Sequence, residues 1–120
     1  MGDRANVLVK QEDEDPGVYL YTHWGGTELP TTLQAALAKR WRWNDAAYLA
    51  RIIFDQMTEG WHGQETGFGI STIAPDGQGR VLVVNCDKQT VSCLDKTWTF
   101  EEFLALDYLA IKAHTWQYGQ

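Results

Sequence analysis

The stretch RVLVVNC (Arg80–Cys86) decides how the fold is read. Val81-Leu82-Val83-Val84 shows no polar alternation, so the strand it predicts is covered on both faces and lies centrally in its sheet. After it, Thr90–Leu94 predicts a short strand paired to it through a tight turn. Before it, the turn APDGQG (Ala74–Gly79) separates it from another strand over Phe68–Ile73. A glycine-rich loop, GWHGQETGFG (Gly60–Gly69), leads into that strand.

Further out, NVLVKQ (Asn6–Gln11) predicts a first strand and Gly17–Trp24 a second. The second puts Val18, Leu20, Thr22 and Trp24 on one face, and Tyr19, Tyr21 and His23 on the other. The acidic EDEDPG between them suits a solvated hairpin turn. Thr31-x-x-Gln34 reads as a capping box opening a helix with Leu33, Ala36, Leu37 and Trp41 at helical spacing. Asn44 or Asp45 caps a second helix, whose stripe is Leu49, Ile52, Ile53 and Met57 and which Gly60 stops. Thr99-x-x-Glu102 is a further capping box, opening a last helix through Phe100, Phe103 and Leu104. The order is β-β-α-α-β-β-β-α. Short connections make sequence neighbours spatial neighbours. The expected fold is therefore α+β, a mainly antiparallel five-stranded sheet with helices packed on one face.

With 120 residues, 44% hydrophobic content and six tryptophans, the chain describes one folded domain. No apolar run approaches a membrane span, and the polar start is not a secretory signal, so the expected location is cytoplasmic. A net charge of −6 argues against binding extended nucleic acid. Lys39-Arg40-Trp41-Arg42 is the densest basic cluster, compatible with one phosphate, a nucleotide or an acidic partner surface. Cys86 and Cys93 are read as reduced, buried thiols.

The candidate site draws on three segments. His23-Trp24-Gly25-Gly26 ends a strand, and Trp61-His62-Gly63 sits in the loop before another. Glycine permits close backbone approach, and indole offers a face for stacking a planar group. Trp24 and Trp61 would stack a ring, and His23, His62 and Glu65 would supply directional hydrogen bonds. Gly25, Gly26 and Gly63 would present backbone amides, while Arg4 would clamp a phosphate. His23, His62 and His114 lack metal-ligand spacing, so no metal or cofactor is expected.

The segments MGDRANVLVK, GVYLYTHWGGTELP and GQETGFGIST resemble a family of short, largely uncharacterised phage and bacterial proteins. That resemblance implies a phage-type accessory role, such as counter-defence, and implies no catalytic residues. The preferred expectation is a non-enzymatic protein that sequesters a small anionic, nucleotide-like ligand. One alternative is an inhibitor of a host defence protein through an acidic, aromatic surface including Glu12–Asp15. Another is a small hydrolase using His23 or His62 with Glu65. A sheet edge and surplus aromatics leave a homodimer or higher homo-oligomer open.

Overall fold

Alternation in Ala5–Lys10 (β1) puts Ala5, Val7 and Val9 on one side, where all three are buried. The remaining strands assemble around it in a computed structural model that describes residues 2–65 and 67–116. Val18–Thr22 (β2) runs antiparallel to β1, with Val7 opposite Leu20 and Ala5 opposite Thr22. Phe68–Ser71 (β3) pairs antiparallel with the outer side of β2, setting Phe68 beside Thr22. Val81–Asn85 (β4) flanks β1 on the other side, followed by Thr90–Cys93 (β5) and Lys96–Thr99 (β6). The sheet order is β3-β2-β1-β4-β5-β6.

This sheet corrects the expected one. It has six strands, and it is mixed: β1 and β4 run parallel, Val7 beside Leu82 and Val9 beside Val84. The centrality of Val81–Val84 follows from its sequence, but the direction of β4 does not. β3 ends level with Tyr19 and β4 begins level with Asn6, so residues 72–80 run back along the sheet between them. They cross its non-helical face, where the Asn6 amide donates to Pro75 O at 3.2 Å. Nine residues suffice for a crossover that more often takes a helix. The missed sixth strand joins β5 through Leu94-Asp95, and Leu94 takes φ +56° in a turn that usually carries Asn or Gly.

The helices are Leu29–Leu37 (α1), Ala46–Met57 (α2), Phe100–Ala105 (α3) and Tyr108–His114 (α4). The element order is thus β-β-α-α-β-β-β-β-α-α. The single C-terminal helix expected from sequence is two. Leu106 is extended, and Asp107 starts α4 by accepting from Ala110 N at 2.8 Å. The capping box at Thr99 and Glu102 forms, with both reciprocal bonds present. The one expected at Thr31 does not: α1 begins at Leu29, and Gln34 instead donates to Leu106 O (2.8 Å) and Phe103 O (3.0 Å). Asp45 caps α2 at Tyr48 N. Leu33, Leu37, Leu49, Ile53, Phe100 and Phe103 close the core over Val7, Leu20, Leu82, Val84 and Val91.

Candidate functional site

The turn after β2 is held by the N-terminal segment. Asp3 N donates to His23 O (2.7 Å), and Gly26 N donates to Asp3 O (2.8 Å). The Asp3 carboxylate accepts from Thr27 N at 2.8 Å and pairs with Arg80 at the start of β4. Burial pushes this carboxyl up, but the Thr27 hydrogen bonds and Arg80 outweigh it and hold it below the ordinary carboxylate value. Trp116, after α4, is buried and donates its indole N–H to Gly26 O at 2.7 Å. The polar start of the chain is therefore a strap, and Asp3 is its working residue.

Beside this turn lies a recess of about 120 Å³ lined by Thr22, Trp24, Gly25, Trp61, Gly67 and Phe68. A neighbouring hollow of about 130 Å³ shares Thr22, Gly25, Trp61 and Phe68 and extends to Glu28, Leu29 and Thr32 on α1. Trp61 arrives because the chain leaves α2 through a turn closed by Trp61 N donating to Thr58 O. Its ring meets that of Phe68 with centroids 6.5 Å apart. Gly67 sits at φ +93°, and a Cβ there would lie 3.2 Å from the Trp24 ring. Trp24 and Trp61 are 60% and 53% exposed although they border the same hollow. Neither indole N–H has a hydrogen-bond partner among the described residues. Glu28 is the ionisable side chain in the combined lining.

The structure thus brings together Trp24, Gly25 and Trp61 of the residues singled out from sequence. Thr22, Gly67 and Phe68 complete the wall, and alternation along β2 together with the Gly67-Phe68 pair carried the only sign of them. The other candidates fall elsewhere. Arg4 is outside the lining, with its backbone N–H on Gln78 Oε1 (2.9 Å). His23 stacks on Tyr21, ring centroids 5.2 Å apart, on the opposite face of β2 from Thr22. Gly25 N is taken by Thr22 Oγ1 (2.9 Å) and Gly26 N by Asp3 O, so neither amide is offered to a ligand. His62, Gly63 and Glu65 are exposed in the loop, and His62 and Glu65 share no hydrogen bond.

Cys86 and Cys93 are buried free thiols. Burial, with Asp45 and Asp87 nearby, pushes Cys86 up to about 12, and burial pushes Cys93 up to about 11. A thiolate is the reactive form. No group of three His, Cys, Asp or Glu side chains able to hold a metal occurs among the described residues. No helix among them is long and apolar enough to cross a membrane.

The fold and recess define a six-stranded mixed α+β domain with an aromatic-walled surface hollow. Neither a protein-family model, nor a curated protein, nor a solved structure matches the chain.

Proposed function

We propose that this protein is a non-enzymatic binding module that captures a planar ring, such as a nucleobase, between Trp24 and Trp61. The observation that carries the reading is that two largely exposed indoles, 37 residues apart in sequence, flank one apolar hollow. The hollow of about 120 Å³ falls below the ~300–1,000 Å³ typical of sites enclosing a whole drug-sized ligand, so it suits one ring system. Glu28 in the lining of the neighbouring hollow and the remote Arg4 favour a neutral or cationic ring there over the anionic portion of a nucleotide. A phage-type accessory role in the host cytosol, removing a ligand from a defence response, is the setting implied by the sequence resemblance.

A second reading is supported by β3. It is an edge strand, and Ile70, in the recess-facing register of Phe68, is 60% exposed. A partner protein adding a strand there and seating an aromatic side chain in the hollow would be inhibited by the same surface. The acidic hairpin gives this reading less support, because Asp13 pairs with Lys88 and Asp15 accepts from Gln11 N (3.0 Å).

Adenine titrated into isotope-labelled protein tests the primary reading through the indole N–H resonances. Trp24 and Trp61 signals should move together. Stacking is worth ~1–3 kcal/mol per base, so Trp24→Ala and Trp61→Ala should each weaken binding about tenfold with the melting temperature unchanged. Unaltered adenine binding by both variants would refute it.

A further inference from the structure

The connection between α1 and α2 carries a second surface that the recess does not use. Lys39, Arg40, Arg42 and Arg51 are four of the ten basic residues in a chain of net charge −6. Three of them, Arg40, Arg42 and Arg51, line a groove of about 430 Å³ with Trp41, Tyr48 and Ile52, and Lys39 lies over the Trp41 ring at its edge. That volume lies within the range of small-molecule sites. Trp41 is 58% exposed and Tyr48 42% exposed, and both line the groove.

The four cations are not equivalent. Arg40 makes a two-point contact with Glu101 (2.5 and 2.9 Å), and Arg51 pairs with Asp55 at 2.6 Å. Asp45 is occupied in capping Tyr48 N. Arg42 has no carboxylate partner among the described residues. Its guanidinium carbon lies 4.3 Å from the centre of the Tyr48 ring, and its N–H groups donate to no side chain or backbone oxygen among the described residues. Lys39 likewise has no carboxylate and lies over Trp41 at 5.5 Å.

The backbone is specialised at the same place. Arg40 takes φ +61° and Arg42 φ +57°, a left-handed conformation that side chains other than Gly and Asn seldom adopt. For Arg40 the end of α1 accounts for it, since its N–H donates to Leu37 O (3.0 Å) in a helix-stop position usually held by glycine. Arg42 opens the turn into α2, its carbonyl accepting from Asp45 N (3.1 Å). Its conformation is associated with an outward-facing Trp41 and a guanidinium laid on Tyr48.

We propose that this elbow binds a nucleoside monophosphate. The phosphate is held by the free edge of Arg42 and by Lys39, and the base stacks on Trp41. This goes beyond the ring-capture reading and is independent of it. The elbow precedes the first turn of α2 and Trp61 follows its last, so the helix's twelve residues separate the two places by roughly 18 Å.

Calorimetry at low salt with AMP, adenosine and inorganic phosphate tests the proposal. Wild type should bind AMP more tightly than either fragment, and added salt should weaken AMP and phosphate but not adenosine. Arg42→Gln should weaken AMP at least tenfold and leave adenosine unchanged, while Arg42→Lys should restore part of the loss. Trp41→Ala should weaken AMP and adenosine but not phosphate. Because the recess is itself read as an adenine site, the titrations are repeated in Trp24→Ala, where AMP binding and its dependence on Arg42 and Trp41 should persist. The proposal is overturned if wild type shows no AMP binding. It also fails if Arg42→Gln binds AMP as wild type does, or if AMP binding is lost in Trp24→Ala instead.

Discussion

Gly26→Ala separates a structural glycine from a ligand-cradling one. A Cβ at Gly26 would lie 2.7 Å from Asp3 O and 2.9 Å from Arg4 O. Both are backbone atoms, and neither can rotate away. Asp3 is tied down by its N–H to His23 O, and Arg4 directly precedes the β1 ladder that begins at Ala5 opposite Thr22. The strap must therefore shift, and the bond from Gly26 N to Asp3 O (2.8 Å) goes with it. Overpacking of this kind costs ~1–3 kcal/mol, and a lost backbone hydrogen bond adds ~0.5–1.5 kcal/mol. A total of about 2–4 kcal/mol is a large part of the ~5–15 kcal/mol that holds a domain together. It should lower the melting temperature by roughly 3–6 °C per kcal/mol. Gly63→Ala is the control: φ is +83°, but a Cβ there meets nothing within 4 Å. Its cost should be conformational alone, about 1 kcal/mol. Urea unfolding followed by far-UV circular dichroism reads both. Should Gly26→Ala lie within about 0.5 kcal/mol of wild type, or should Gly63→Ala cost as much, the strap does not explain the double glycine.

Three further outcomes follow from the same contacts. Trp116→Phe removes one of the two donors to Gly26 O, the indole N–H at 2.7 Å, and leaves Leu29 N at 3.1 Å, so urea unfolding should show a loss of about 0.5–1.5 kcal/mol; no loss would mean that the bond is replaced by water. Cys86 and Cys93, pushed up to about 12 and about 11, should resist a thiol-specific chromogenic reagent at pH 8 until urea unfolds the chain, and rapid native labelling would contradict their burial. Asp3 is lowered in the folded state, so its contribution is fully present above the ordinary carboxylate value and is lost as pH falls through the lowered one. The stability gap between wild type and Asp3→Asn should thus be open at pH 6 and narrow as the pH falls below the ordinary carboxylate value, and a gap unchanged across that range would remove the charge from the explanation.

The sequence makes legible whatever a short-range pattern determines. Alternation in Val18–Thr22 and the aliphatic run Val81–Val84 place two strands, and Thr99 with Glu102 announces a helix start because both partners of that cap lie within four residues. Strand direction is another matter. Whether β4 runs up or down beside β1 depends on how residues 72–80 cross a face of the sheet, and the fastening contact, Asn6 to Pro75 O, spans 69 positions. The Leu94-Asp95 turn hides β6 because its left-handed residue is a leucine. In the candidate site, Trp24 and Trp61 were legible as indoles near glycines, and their convergence follows from β2–β3 pairing, which sets Phe68 beside Thr22. Arg4 lies outside the recess lining, and the residue of that segment with the structural partners is its neighbour Asp3, which needs Thr27 and Arg80 to be recognised. Gln34 misled in the same way: its spacing from Thr31 fits a cap, and its amide serves the end of α3.

The tryptophans divide by what the fold asks of them. Trp43 and Trp116 donate their indole N–H groups to Leu37 O and Gly26 O, at 3.1 and 2.7 Å, and pack against or within the core. Trp24, Trp41 and Trp61 have no such bond and stand 53% to 60% exposed. Burying an apolar side chain is worth ~1.5–3 kcal/mol, so leaving three large rings half in water forgoes stabilisation that the core did not collect. Isolated exposed apolar residues need no explanation. These three are not isolated: two share one apolar hollow, and the third stands among four cations. The two proposals call for different occupants, because Glu28 lines the hollow next to the first place while Arg42 and Lys39 lack carboxylates at the other. A neutral or cationic ring at one end of α2 and a phosphate-bearing one at the other is the arrangement in which neither charge is misplaced.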